Sequence, residues 1–138
     1  MAKSIRLNDN AYLDSSSIVH KQNKLSDILS FSYNEEVVGT WFDGRKVYRK
    51  SFYRPKLING SSEVVNHGIS NVDIIWCDSQ KSFAIWQNGN TCSLPFVNTV
   101  AGNGIEVADV NATSYTIRST MDRSNLRGYI TFLYVKNE

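Results

Sequence analysis

The groups that could do chemistry in this chain of 138 residues are two histidines, two cysteines, thirteen carboxylates and many serines. Nucleophilic catalysis needs a hydroxyl or thiol beside a base that a third group orients. Neither His20 nor His67 stands in a local signature of that kind. Val65-Asn66-His67-Gly68-Ile69-Ser70 reads as a turn into a strand, with His67 structural. Glycoside cleavage needs two facing carboxylates, one of them desolvated. Asp73 and Asp78 fall at odd spacing on one expected strand, so they face opposite ways. Zinc sites use closely spaced Cys and His, and here these residues are scattered. Asn8-Asp9-Asn10 and Asp14 offer oxygens without the spacing of a calcium loop, and read as a turn. No catalytic residue, metal or cofactor is expected, and the chain reads as a non-enzyme.

Saccharide binding asks for less. It needs an aromatic face for the CH patch of a sugar and planar polar groups for its hydroxyls. Of three tryptophans, Trp41 and Trp76 read as core, the latter sharing a strand face with Val72 and Ile74. Trp86 shares its face with the small Ala84 and precedes the turn Gln87-Asn88-Gly89-Asn90, which suits a surface or interface position. Asn88, Asn90, Asn98, Asn103 and Arg123 fall in expected loops, the usual seat of recognition on a rigid scaffold. Trp86 and these five residues are the carbohydrate-binding candidates.

The elements that must position them are strands. Val37 to Lys50 is two β-rich arms around Asp43-Gly44, expected to form a hairpin with a type I′ turn. Further strands are expected at Val64-Val65, Val72–Asp78, Ser82–Gln87, Thr91–Val97, Ile105–Val110, Thr113–Arg118 and Gly128–Val135, with Pro95 marking an edge or a break. Such spacing indicates an antiparallel β-sandwich of jelly-roll type over residues 34–138. Residues 1–33 have a different texture. A small hairpin is expected around Asn8-Asp9-Asn10. Lys24 to Leu29 reads as a short helix whose Leu25, Ile28 and Leu29 form one apolar edge. A single turn is unstable alone, so this segment must pack on the head or on copies of itself.

The last strand is apolar on both faces: Tyr129, Leu133 and Val135 on one, Ile130, Phe132 and Tyr134 on the other. A strand with one face in water should alternate. One face can take the sandwich core. The other needs a second cover, which is a neighbouring subunit or the folded-back leader. Ile130, Phe132 and Tyr134, with Leu25, Ile28 and Leu29, are the interface candidates.

Composition excludes several classes. The net charge is only +2 and charged residues make up 20%, without the clustered basic face of a nucleic-acid binder. Arg45, Lys46, Arg49, Lys50, Arg54 and Lys56 divide between two strand faces and are expected to be solvated. No apolar run approaches the roughly 20 residues that span a bilayer. The first residues lack the apolar core of a secretory signal, so synthesis and folding in a cytoplasm are expected. There, Cys77 and Cys92 are expected as buried free thiols, although neighbouring strands could pair them. Asn59-Gly60-Ser61 and Asn111-Ala112-Thr113 then mean turns only.

One block carries a resemblance. Tyr33-x-Glu35-Glu36-Val37-Val38-Gly39-x-Trp41-x-Asp43-Gly44-x-x-x-Tyr48-Arg49-Lys50 resembles the opening of the C-terminal head module of tail-fibre and receptor-binding proteins of phages infecting Gram-positive bacteria. His67 to Asn71 and Asp122 to Tyr134 are similar more loosely, and residues 79–121 depart from the pattern. The resemblance implies a homotrimeric virion protein that attaches to host surface polysaccharide, with the N-terminal segment bound to another virion component. The rival expectations are a structural virion part (a head fibre or decoration protein), a polysaccharide depolymerase, and a bacterial lectin-like protein.

Overall fold

The computed structural model describes residues 5–8, 11–13, 31–97 and 103–138. The chain divides into two compact units, Met1–Phe31 and Ser32–Glu138. In the first, β1 (Ile5–Asn8) and β2 (Ala11–Leu13) pair antiparallel, with Ile5 opposite Leu13. The expected helix from Lys24 to Leu29, and with it Leu25, Ile28 and Leu29, lies outside the described residues.

The second unit is all-β, with antiparallel strands in two sheets around a shared core. Its strands are β3 (Glu36–Thr40), β4 (Lys46–Arg54), β5 (Ser62–Asn66), β6 (Val72–Cys77), β7 (Phe83–Ile85), β8 (Thr91–Ser93), β9 (Glu106–Ala108), β10 (Ser114–Arg118) and β11 (Arg127–Lys136). One sheet runs β5-β10-β9. The other runs β3-β4-β11-β7-β8, with β6 also paired to β11. Thus β11 is the hub. On one edge it pairs with β4 along its length, from Gly128 opposite Arg54 to Val135 opposite Val47. On its other edge it takes β7 at Arg127–Tyr129 and then β6 at Phe132–Lys136. Between these two partners lies a gap at Thr131, which side chains fill. The Ser82 hydroxyl accepts the Thr131 N–H (2.9 Å), and the Asp78 N–H donates to the Thr131 carbonyl (2.8 Å).

The core sits between the sheets. Phe132 meets Tyr115 of the facing sheet at 5.1 Å between ring centres, and Phe52 and His67 at 6.0 Å each. Tyr134 stacks on Tyr48 at 5.7 Å. Ile130, Phe132 and Tyr134 are 0% exposed within the single chain. This corrects their assignment to a subunit interface: they are the core face of β11. The opposite face carries Tyr129 and Leu133, both half-buried, with Thr131 and Val135 fully enclosed. There Tyr129 lies between the rings of Tyr53, Phe83 and Tyr33 at 5.1, 5.2 and 6.4 Å.

Other expectations shift for local reasons. Trp76 is opposite Leu133, on the face of β11 away from the core, and contacts Trp41 at 5.5 Å. The pairing slips between Val135 and Lys136, which face Ile74 and Val72. The slip breaks the period of two, so Val72 is core while Ile74 and Trp76 turn outward. The hairpin between β3 and β4 is present, but its turn is not type I′. Gly44 N–H donates to the Trp41 carbonyl (3.0 Å), Trp41 N–H to the Arg45 carbonyl (2.7 Å), and Gly44 alone takes a left-handed φ, +92°. That is a three-residue loop ending in a glycine bulge. The β7–β8 turn repeats it. Trp86 N–H reaches the Asn90 carbonyl (2.8 Å), Gly89 N–H the Trp86 carbonyl (3.0 Å), and Gly89 has φ +85°. Asp43 and Asn88 play the same part, each accepting the N–H two residues on at 3.0 Å. Both loops read Trp-x-Asx-Gly.

The basic residues are less free than expected. Arg45 pairs with Asp43 and Asp73, Arg54 with Glu63, and Arg49 with Glu36 at 3.0 Å. Arg49 is only 5% exposed, so it is a buried ion-pair member. Both cysteines are free thiols.

A polar knot ties the segment before β3 to the end of β11. The Tyr134 hydroxyl donates to Glu35 (2.6 Å), and so does the Lys136 ammonium (2.7 Å). Burial pushes the Glu35 carboxyl up, but the hydrogen bonds from Lys136 and Tyr134, with the charges of Lys136 and Lys50, outweigh it, and the net shift is downward. A depressed carboxyl contributes stability above its ordinary pKa of about 4.3, and loses it as pH falls through the lower folded value. Glu35→Gln therefore lowers the urea midpoint at pH 7. The gap to the parent protein closes as the pH drops from about 4.3. A gap that is constant from pH 7 to the acid limit of folding refutes this role.

Candidate functional site

Loops gather at one end of the six-stranded sheet because Arg54 of β4 and Ile85 of β7 both lie beside the start of β11, opposite Gly128 and Arg127. The chain after β4 and the chain before β11 run there together. Leu57 N–H donates to the Leu126 carbonyl (2.9 Å), and Asn59 bridges Asp122.

Here a cleft of about 500 Å³ opens between the end of the three-stranded sheet and the segment around Phe96. Its lining comprises Gly60, Ser61, Ser62, Phe96, Val97, Gly104, Glu106, Arg118, Ser119 and Thr120. The frame is rigid. Phe96 and Ile105 exchange two backbone hydrogen bonds, at 2.7 and 2.9 Å. Gly104 packs so closely that a Cβ there would sit 2.9 Å from the Phe96 carbonyl oxygen. The Ser119 hydroxyl donates to the Gly104 carbonyl (2.9 Å), and its N–H to the Ser61 carbonyl (3.0 Å). Gly60 turns with φ +54° and donates to the Met121 carbonyl at 3.0 Å.

One wall is apolar: Phe96 is half-buried and Val97 is 87% exposed. The polar wall is a cross-strand pair, Arg118 of β10 opposite Glu106 of β9. Arg118 Nε lies 3.0 Å from the Glu106 carboxylate, and Nη2 donates to Asp109 at 2.7 Å. An apolar ledge facing carboxylates and hydroxyls is suited to a small hydroxyl-rich ligand.

The sequence-predicted residues meet this end of the sandwich only in part. Trp86, expected at the surface or an interface, is half-buried and packs against the core with part of its area still exposed. Asn88 and Asn90 close the β7–β8 turn. Asn98 lies outside the described residues. Asn103 and Arg123 are brought together, Arg123 Nη2 donating to the Asn103 carbonyl at 2.8 Å, next to Gly104 of the cleft. Arg123 N–H also donates to the Ile58 carbonyl (2.8 Å), so its placement braces the loop. Glu106, Arg118, Phe96 and the Ser61-Ser62 pair were missed. The signal was the polar phase of Ser114, Thr116 and Arg118, alternating with Tyr115 and Ile117 on β10, but Glu106 is joined to Arg118 only by a register that the sequence does not show.

His67 is structural. It is buried, Nδ1 accepts the Ile69 N–H (3.1 Å), and Nε2 lies 3.0 Å from the Asn111 carbonyl, to which it must donate. Both nitrogens are engaged in the neutral ring. Burial pushes the Cys77 thiol up, against a hydrogen bond with Ser82, and burial likewise raises the Cys92 thiol. Thiols held protonated are poor nucleophiles. Among the described residues no group of three or more His, Cys, Asp or Glu could hold a metal. No model of a known family matches the chain, and neither does any curated protein or any solved structure.

Proposed function

We propose that the chain is a phage virion head module that attaches to host surface polysaccharide through the cleft beside Phe96 and Arg118. Residues 1–33 fix it to another virion component, and three copies form a jelly-roll-like homotrimer. The reading begins from the resemblance of the Tyr33 to Lys50 block. The observation that carries it further is where the cleft residues come from. Phe96, Val97, Gly104, Glu106, Arg118, Ser119 and Thr120 all fall in 79–121, the part that departs from the family pattern. The other three lining residues, Gly60, Ser61 and Ser62, lie outside that stretch, and a loop-built cleft on a rigid sandwich is a usual seat of recognition. Trimer symmetry then repeats a shallow site, and multivalent contact raises avidity by about 10²–10⁴.

The test is sedimentation of the whole protein with cell-wall sacculi of Gram-positive bacteria, intact or oxidised with periodate, alongside its mass by light scattering. Expected are a three-chain mass and binding that periodate abolishes. A trimer that ignores every wall preparation moves the assignment to a structural virion part. A monomer at micromolar concentration removes the assembly. Release of reducing sugar from the sacculi would make the chain an enzyme.

A further inference from the structure

Resting on that reading, we infer that the cleft selects an uncharged sugar unit of a neutral wall polysaccharide and rejects phosphate-bearing polymers. Arg118 is the single cation in the described lining, and it is held on two sides by carboxylates, Glu106 at 3.0 Å and Asp109 at 2.7 Å. The three side chains together carry one net negative charge. A phosphate entering the cleft would meet a guanidinium already ion-paired with two carboxylates. It would also meet the carboxylate of Glu106, which lines the cleft, at close range, where like charges repel.

A neutral pyranose meets none of this. Its hydroxyls donate to carboxylate oxygens, which are strong acceptors. Its CH face can rest on the apolar wall of Phe96 and Val97. The Ser61-Ser62 rim adds hydroxyls that both donate and accept. The carboxylates thus do two things. They pair with the guanidinium on two sides, and Glu106 presents oxygens to the cleft that suit hydroxyl groups and disfavour anions.

The experiment uses the whole protein and wall polysaccharide separated by anion exchange into a neutral pool and a phosphate-bearing pool. Titration calorimetry is run against each pool at low salt, because screening would hide the discrimination. Expected is saturable binding to the neutral pool alone. Glu106→Ala removes an exposed acceptor and leaves the Arg118–Asp109 pair, so it weakens neutral binding about tenfold or more. Val97→Asp puts a charge on the apolar wall and does the same. Both residues are exposed, so unchanged thermal melts establish that both variants fold. Preference of the parent for the phosphate-bearing pool overturns the inference and leaves the attachment reading intact. So does binding to intact sacculi but to neither pool, or neutral binding that both variants leave unchanged. Failure to bind any wall material overturns both.

Discussion

Phe132→Ala removes about 3–5 kcal/mol of unfolding free energy, enough to abolish most of the folded population of a marginal domain. The side chain is fully enclosed and touches both sheets: Phe52 on its own sheet, Tyr115 and His67 across the core. Truncation deletes the apolar transfer term and leaves a cavity ringed by aromatic groups. Phe52 and Tyr115 are fixed by the ladders of β4 and β10, and His67 by hydrogen bonds at both ring nitrogens, so they cannot collapse inward. The measurement is urea unfolding monitored by tryptophan fluorescence. A conservative Phe132→Leu costs less, because it leaves a smaller void. A loss under about 1 kcal/mol for the alanine variant would mean that the sheets can close over the gap, contrary to the close packing of protein interiors.

Ser82→Ala comes second, with a cost of about 1–3 kcal/mol from a change of one oxygen atom. Ser82 is buried, and its hydroxyl accepts the Thr131 N–H (2.9 Å) while donating to the Asp78 carbonyl (2.7 Å). It stands where β6 has ended and β7 has not begun, so it completes the ladder along that edge of β11. Alanine leaves the Thr131 amide in the interior without an acceptor, and an unpaired buried donor is costly. Hydrogen exchange reads this out directly: the Thr131 amide becomes the fastest-exchanging position within β11. Ser82→Thr keeps the hydroxyl and restores protection if the extra methyl fits. An alanine variant with unchanged stability and protected Thr131 would show that the Asp78 contact alone holds the gap.

Much of the scaffold could be read from residue order, and the failures share a cause. Gly44 and Gly89 marked both turns, since only glycine readily takes a left-handed φ. The turn class was missed because it depends on Asp43, whose φ the sequence leaves open. The alternation rule placed Ile130, Phe132 and Tyr134 on one face. It could not say which face meets the other sheet, since Tyr129, Leu133 and Val135 are just as apolar. It failed at Trp76, where one slipped pairing beside Val72 reverses the phase. For the cleft, Asn103 marked the correct neighbourhood by loop composition. Glu106 and Arg118 were invisible because they are 12 residues apart, and only the β9–β10 register joins them.

The hub position of β11 also governs how the chain can be made. On a ribosome, the hairpins β3–β4 and β7–β8 emerge complete, whereas β6 emerges with nothing to join. None of the three can be assembled into one sheet until residues 127–136 leave the exit tunnel, because each pairs with that last ribbon. Closing the β4–β11 ladder brings together Val47 and Val135, 88 positions apart, and such distant closures are slow. Until residues 127–136 have emerged, β4, β6 and β7 each keep an open edge, and such edges are prone to pair with the wrong neighbour.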